Sequence, residues 1–293
     1  VGWRMLLRIA RRYGQKRFSD LQLALGTYWG LVTLFTLASI LMLSFEPKTG
    51  GSMEWVVLAG VLMWLMWRLT QRLALRWATR RAGPPRPALL LLRVFKPSNR
   101  SEAFIDRFLA RWRFAAPVWM IAGPDLAGAL MEPDEFFAWL RRRLAERFVS
   151  DPAQIPQRLA ALDGARDPDG RCRVSELFCA DSTWQPAVLA MIAAARVIAL
   201  DLRQYPAAPA GPRYELEELL AGAPLERVLL LTDEAGDAPN LRAAIDDAWQ
   251  VSGRRAGQQV TIVQLRNESD AELDGLFRLA AAAVEDGRVP ARA

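Results

Sequence analysis

The chain has 293 residues, contains no histidine, and carries a formal net charge of +6. Without histidine, Ser-His-Asp and Cys-His nucleophile pairs, phosphorelay histidines and the common zinc ligand sets are excluded. Its two cysteines, Cys172 and Cys179, fit neither a CxxC metal motif nor a disulfide framework. We therefore predict two reduced thiols in a cytosolic domain and no metal site.

Residues 1–20 form a basic lead in which apolar side chains alternate with arginines. Two hypotheses fit this lead: it lies along an anionic membrane surface, or it is the positive flank that sets the membrane topology. A second basic cluster follows the apolar segments described next. Since basic residues beside membrane spans are what the positive-inside rule predicts, we expect no nucleic-acid partner despite the net charge.

Two apolar segments follow the basic lead. Leu21 to Phe45 contains no charged residue and exceeds the ~20 residues needed to cross the hydrocarbon core. A second span fits Gly50 to Thr70 if Glu54 and Arg68 snorkel at its ends. We predict a two-helix transmembrane hairpin at 21–70 in the inner (plasma) membrane. Because both basic clusters lie on one side of it, the N-terminus and the large C-terminal region are expected to be cytoplasmic.

A basic, Pro-rich linker is predicted at 71–87, followed by a domain at 88–287 and a tail at 288–293. Strand-length apolar runs in the domain lie at Leu89 to Phe95, Val118 to Ala122, Val174 to Cys179, Val197 to Leu202, Val228 to Thr232 and Val260 to Leu265. Helical patterns lie at Arg100 to Arg113, Pro133 to Phe148, Trp184 to Ala194, Pro212 to Ala221, Asn240 to Trp249 and Asp270 to Glu285, with an extra helix at Ala153 to Leu162. This alternation predicts an α/β domain with a doubly wound, mostly parallel sheet of five or six strands.

Residues that follow the strands line the crevice of such a sheet and are the candidate ligand-binding positions. These are Ser98, Asn99, Arg100, Asp181, Trp184, Asp201, Arg203 and Tyr214. Loop residues after strands are polar because they are solvated, and Ser98, Asn99 and Asp181 are also good helix N-caps, so capping or solvation is the favoured interpretation of these three. Neither a GxGxxG nor a GxxxxGK[ST] motif is present, which excludes the standard nucleotide fingerprints. The acidic turn DGARDPDGR lacks calcium-loop spacing and is predicted to be solvated.

Glu215 is a further candidate, predicted in the first turn of a helix that begins near Pro212. In the first turn the helix dipole favours the ionised carboxylate, which suits contact with a cationic or hydroxylated ligand. A capping acid is ordinary at the same position, so spacing alone does not separate the two interpretations.

Two stretches resemble Toll/interleukin-1 receptor (TIR) domains. The strand Val197-Ile198-Ala199-Leu200, a loop and then Arg213-Tyr214-Glu215-Leu216-Glu217 resemble the family's strand and "xEL" helix. The upstream run LLLLRVFKPSNRSEAFIDRFLARW is similar to its first strand, loop and helix. The Trp-Cys pair normally placed before "xEL" is replaced by Ala210, Gly211 and Pro212, and an additional strand-helix unit lies around 117–173. The resemblance is therefore to a divergent, bacterial TIR-like protein, with a flavodoxin/TIR-like sheet and a two-helix anchor.

In enzymatic TIR proteins a glutamate at the "xEL" position promotes cleavage of the nicotinamide–ribose bond of NAD. The resemblance implies that Glu215 would be catalytic and stabilise positive charge developing on the ribose. Trp184 or Tyr214 are positional candidates for stacking on a base, and Arg100 or Arg203 for holding phosphates. No cofactor is firmly implied, and NAD is expected only as substrate or ligand.

Three functional hypotheses follow from the sequence. The chain is a membrane-anchored TIR-like signalling or effector module in defence that binds or cleaves NAD-type nucleotides, or a non-catalytic membrane-tethered assembly or scaffold domain. A membrane-anchored structural protein is the third. The expected partners are the lipid bilayer, further copies of the chain and signalling proteins.

Overall fold

The computed structural model describes residues 4, 8–9, 11–13, 15–44, 53–80, 87–93, 99–122, 147–162, 164–205, 210–233, 239–255 and 257–286. The chain divides into two compact units. The first, here the hairpin unit, comprises Val1–Ala82 with Arg166–Arg171. The second, here the α/β domain, comprises Gly83–Ala165 with Cys172–Ala293.

The hairpin unit contains two long helices that pack against each other, α1 (Asp20–Ser44) and α2 (Met53–Thr79). Both are long and apolar enough to cross a membrane. A capping box begins α1. The Ser19 hydroxyl accepts a hydrogen bond from the backbone N–H of Gln22, and the side-chain oxygen of Gln22 accepts one from the backbone N–H of Ser19. Helix α2 continues nine residues past the predicted end at Thr70, so residues 71–79, predicted as linker, are helical.

The α/β domain is built on a six-stranded, fully parallel sheet in the order β3-β2-β1-β4-β5-β6, which confirms the predicted fold class. The strands are β1 (Leu89–Arg93), β2 (Val118–Ala122), β3 (Val174–Phe178), β4 (Val197–Asp201), β5 (Val228–Thr232) and β6 (Thr261–Gln264). Without the edge strand β3, the remaining five strands follow the flavodoxin order 2-1-3-4-5. The strand order reverses between β1 and β4, which is therefore the topological switch point.

Helices connect the strands in the predicted alternation. They are α3 (Asn99–Trp112), the short α4 (Ile155–Ala160) after a 3-10 turn at Pro152–Gln154, α5 (Trp184–Ala194), α6 (Ala210–Gly222), α7 (Pro239–Val251) and α8 (Asp270–Asp286). The predicted helix at Pro133 to Phe148 lies outside the described residues up to position 146. Helix α6 begins two residues before the predicted start at Pro212, which changes the position of Glu215 in the helix.

Strand side chains alternate between two apolar cores, one on each face of the sheet. On the first face, here the α3 face, Leu89, Leu91, Val197 and Ala199 pack with α3 and α8. On the second, here the α6 face, Leu90, Leu92, Ile198 and Leu200 pack with α5, α6 and α7. All five residues of β4 are buried, as expected for a central parallel strand covered on both sides.

Candidate functional site

The end of β4 carries a buried ion-pair network. Arg203 donates from Nε and Nη2 to the two carboxylate oxygens of Asp201, both at 2.8 Å, and from Nη1 to Glu268 Oε1 at 2.7 Å. Its guanidinium also lies 4.9 Å from the ring centroid of Phe104 on α3. The arginine side chain is only 1% exposed, so a fixed cation lies at the switch point and two acidic side chains compensate its charge.

Electrostatics hold this network in its charged form. Burial opposes the charge of Arg203, but the hydrogen bond and charge of Asp201, with the charge of Glu268, outweigh it, and the pKa of Arg203 is raised. The backbone is left-handed at Gln204 (φ 57°) and at Glu268 (φ 50°), a conformation that non-glycine residues adopt at a cost. The network therefore lies between two locally strained segments.

Glu215 lies in the second turn of α6, because the helix begins at Ala210. The buried residues of α6 are spaced three and four apart and form one stripe: Pro212, Glu215, Leu216, Leu219 and Leu220. Glu215 is thus an acid on the apolar stripe. Glu215 is 1% exposed, and neither carboxyl oxygen has a hydrogen-bond partner among the residues that the structure describes.

Burial raises the pKa of Glu215 to about 8. The prediction of a first-turn carboxylate ionised by the helix dipole is therefore wrong: the helix starts earlier than predicted, and the dipole effect decays within its first turn. At neutral pH the group is a neutral carboxylic acid, with one O–H donor and free acceptor capacity.

Aromatic side chains surround the start of α6. The rings of Trp184, at the start of α5, and Tyr214 meet edge to face with centroids 5.2 Å apart. The hydroxyl of Tyr205 is buried and has no hydrogen-bond partner among the described residues, and burial raises the pKa of Tyr205. Trp184 and Tyr205 pack against the core on the α6 face, and Tyr214 is next to Glu215 in the sequence. We call Glu215, Tyr205, Trp184 and Tyr214 the α6 cluster; two of its polar groups are unsatisfied.

The structure divides the sequence-predicted site residues between two places. Asp201 and Arg203 meet on the α3 face, whereas Trp184 and Tyr214 meet on the α6 face, where Tyr214 precedes Glu215 in the sequence. Asp181 is exposed, as the solvation alternative predicts. Asn99 and Arg100 lie at the start of α3, and Ser98 lies outside the described residues.

Two residues of the ion-pair network, Glu268 and Phe104, were not among the predicted site residues. Glu268 follows β6, so the rule that selects residues after strand ends would have included it if applied to the last strand. Phe104 lies within α3 and shows no sequence signal that distinguishes it from other core aromatic residues.

The acidic turn differs from its prediction. Asp169 is 1% exposed, and its carboxylate accepts from the amide, Nε and Nη2 of Arg171 at 3.1, 2.9 and 2.8 Å. Asp167 is buried as well. The two central acids of the turn are therefore buried, and Asp169 is paired within the turn, whereas Gly164 and Ala165 are exposed as predicted for a solvated turn.

Thiol and metal chemistry have little support in the described part of the chain. Cys172 and Cys179 are both free and buried, and burial raises the pKa of Cys179 to about 11, which keeps it a thiol. Within the described ranges, no group of three acidic or cysteine side chains is placed to hold a metal ion.

No protein-family model matches the chain, and no curated protein or solved structure shows significant similarity to it.

Proposed function

We propose that the chain is a membrane-anchored, TIR-like signalling or effector module whose α/β domain binds an NAD-type nucleotide and acts on it through Glu215. The hairpin crosses the inner membrane twice and leaves both termini in the cytoplasm. The observation that carries the proposal is the buried carboxyl group of Glu215, for which the described part of the chain supplies no hydrogen-bond partner to either oxygen.

An unpaired buried carboxyl group is costly to the fold. Leaving a buried polar group unsatisfied costs about 1–3 kcal/mol, and an apolar side chain in this stripe would avoid that cost. Titratable groups with strongly raised pKa values concentrate at functional sites, where ligands complete their hydrogen bonds. Glu215 and Tyr205, both unsatisfied, together with Trp184 and Tyr214, offer hydrogen bonds and ring surfaces suited to a ribose and a base.

The chemistry follows from the charge state of Glu215. A cationic nicotinamide ring near the carboxyl favours loss of its proton, because an opposite charge lowers a carboxyl pKa. When the bond between the ring nitrogen and ribose C1′ breaks, its electron pair leaves with nicotinamide. The Glu215 carboxylate then stabilises the positive charge on the ribose while water adds to C1′ and releases a proton.

A non-catalytic assembly or scaffold module is the second candidate. The favouring observation is that Asp201, Arg203 and Glu268 satisfy one another at the switch point, where nucleotides bind in doubly wound folds. Arg203 is then a structural residue rather than a phosphate ligand. In this candidate the α/β domain contributes surfaces for protein partners and further copies of the chain.

The test is nicotinamide release from NAD by the full chain in nanodiscs, measured over a range of protein concentrations to include oligomers. We expect release by the wild type and a loss of roughly 100-fold or more in Glu215→Gln, as for removal of a group that stabilises transition-state charge. Glu218→Gln, the same change on the same helix at a half-buried position, serves as the control and should retain activity.

The outcomes separate the candidates. Equal release by wild type and Glu215→Gln would contradict the catalytic role. NAD binding without release, measured by calorimetry and lost in Glu215→Gln, would show a nucleotide-binding module. Neither binding nor release at any protein concentration would leave the assembly module as the supported function.

A further inference from the structure

The hairpin unit contains a cavity of about 580 Å³ where the basic lead meets the adjoining ends of α1 and α2. Its polar lining comes from Arg8 and Arg12 of the lead, Gln22 and Thr27 of α1 and Gln71 of α2, and no acidic side chain among the described residues lines it. The cavity therefore has a positively charged end, and it lies near the start of the α1 span and beside the C-terminal half of the α2 span.

The two arginines are available to bind an anion. They stand four residues apart in a helical segment, a spacing that places both on one side of a helix. Both side chains are exposed, and neither has an ion-pair partner among the described residues. A pair of unpaired guanidinium groups fits a phosphate group, to which arginine donates several hydrogen bonds.

A second cavity, of about 280 Å³, continues the first one along the hairpin. The two cavities share Gly26 and Trp67, and the second extends between the helices past Gly30, Gly60 and Trp64. A Cβ added at Gly26, Gly30 or Gly60 would meet no described atom within 4 Å apart from the adjacent backbone of its own helix, so the packing of the hairpin does not require these glycines. We call the two cavities together the inter-helix groove.

The length of the inter-helix groove matches one leaflet of a membrane. From Gln22 to Thr33 α1 rises about 16 Å at 1.5 Å per residue. Half of the ~30 Å hydrocarbon core is about 15 Å. The basic end therefore lies at headgroup level when the apolar part reaches the bilayer midplane, and Trp67 lines both parts.

We propose that the inter-helix groove binds one anionic phospholipid, with its phosphate on Arg8 and Arg12 and an acyl chain along Gly26, Gly30 and Gly60. A basic pocket between transmembrane helices is the kind of site that recognises anionic headgroups. A second copy of the hairpin fits less well, because it would bring its own basic lead to the same membrane level and place like charges together. The site goes beyond the proposed function, since it concerns the anchor and not the nucleotide.

The test measures phospholipid binding to the purified full chain in a non-ionic detergent by native mass spectrometry. The probes are phosphatidylglycerol, phosphatidylcholine and inorganic phosphate. We expect phosphatidylglycerol to bind roughly 30-fold more tightly than phosphatidylcholine, the factor expected for two arginines near an anionic group. Inorganic phosphate should compete only weakly, since it lacks an acyl chain.

Variants locate the two ends of the site. Arg8→Gln/Arg12→Gln should lose the preference for phosphatidylglycerol, whereas Arg72→Gln/Arg76→Gln, an equal charge change at exposed positions of α2 outside the groove, should keep it. Gly26→Leu/Gly60→Leu should lose binding of both lipids by filling the groove. Ala38→Leu, on an exposed part of α1 outside the groove, is its control.

Three results would overturn the proposal: equal affinity for the two lipids, equal loss of preference in both arginine pairs, or competition by inorganic phosphate at the affinity of phosphatidylglycerol. If Gly26→Leu/Gly60→Leu instead changes the oligomeric mass and leaves lipid binding intact, the groove holds a second copy of the chain. Circular dichroism of each variant confirms that its helices are retained.

Discussion

Two buried carboxyl groups, one on each face of the sheet, differ in their hydrogen bonding. On the α3 face, Asp201 accepts three hydrogen bonds from Arg203 at the end of β4, from the backbone amide, Nε and Nη2. On the α6 face, Glu215 is equally buried but lacks any hydrogen-bond partner among the described residues. Arg203 pairs with Asp201, whereas burial raises the pKa of Glu215 and keeps its carboxyl group protonated, because an isolated charge cannot remain in an apolar interior.

This difference separates a structural role from a functional one. A network that satisfies all its members is a stable part of the fold, although it is not a source of net stability compared with apolar residues. A carboxyl group that the fold leaves unsatisfied is available to a ligand, at a cost to stability. The predictions below test this contrast between the ion-pair network and Glu215.

The largest expected effect is on the ion-pair network. Arg203→Met removes the cation and leaves Asp201 and Glu268 without compensation in a buried site, so we expect a loss of about 3–5 kcal/mol in the free energy of unfolding. Urea unfolding of the full chain in detergent measures it. The control is Arg213→Met, which removes an exposed pair with Glu217 and should change stability little. If both substitutions changed the free energy of unfolding equally, the ion-pair network would not have the structural role assigned to it.

The second prediction concerns pH. The pKa of Glu215 is raised from 4.5 to about 8, so its contribution to stability is present below pH 4.5 and is lost as the pH rises toward and through 8. Within this window Glu215 is protonated in the folded state and ionised in the unfolded state. The free energy of unfolding therefore falls by roughly 1.4 kcal/mol for each pH unit because of this group. The melting temperature of the wild type should therefore fall relative to that of Glu215→Gln between pH 5 and pH 8. Parallel pH profiles would contradict the neutral, unpaired state of Glu215.

The third prediction is that one substitution at Glu215 raises stability and removes function. Glu215→Leu places an apolar side chain in an apolar stripe, and at pH 7 we expect a gain of about 1–3 kcal/mol because an unsatisfied buried group is removed. The same variant should lose NAD binding and nicotinamide release. Destabilisation by Glu215→Leu would mean that the carboxyl group is satisfied in the folded protein.

The smallest expected effect is the coupling between Trp184 and Tyr214. A double-mutant cycle with Trp184→Leu and Tyr214→Leu should give a coupling energy of about 0.5–1.5 kcal/mol, typical of an edge-to-face aromatic pair. Chemical unfolding of the two single variants and the double variant measures it. Additive single effects would show that the two rings do not hold α5 and α6 together.

Much of the fold was predictable from local patterns. The two long apolar helices, all six strands and the bounds of α5 follow from run length and periodicity, because a buried central strand or a membrane-spanning helix must be apolar along its whole length. The extension of α2 to Thr79 differs from the basic linker predicted at 71–87, because arginines are typical both of a segment that flanks a membrane span and of a helix that continues beyond it. The doubly wound class followed from the alternation, whereas the position of β3 at the edge of the sheet did not.

For the candidate site, the sequence by itself determined which residues follow the strands, and this selected Asp201, Arg203 and Glu215. Only the tertiary structure decided their chemical states. Asp201, two positions away, pairs with Arg203 locally, but the second carboxylate of the network, Glu268, comes from 65 positions away. Glu215 is neutral because α6 turns it toward an apolar core in which no described residue bonds its carboxyl group. The charge state of a buried group depends on which distant residues surround it, and local sequence does not contain that information.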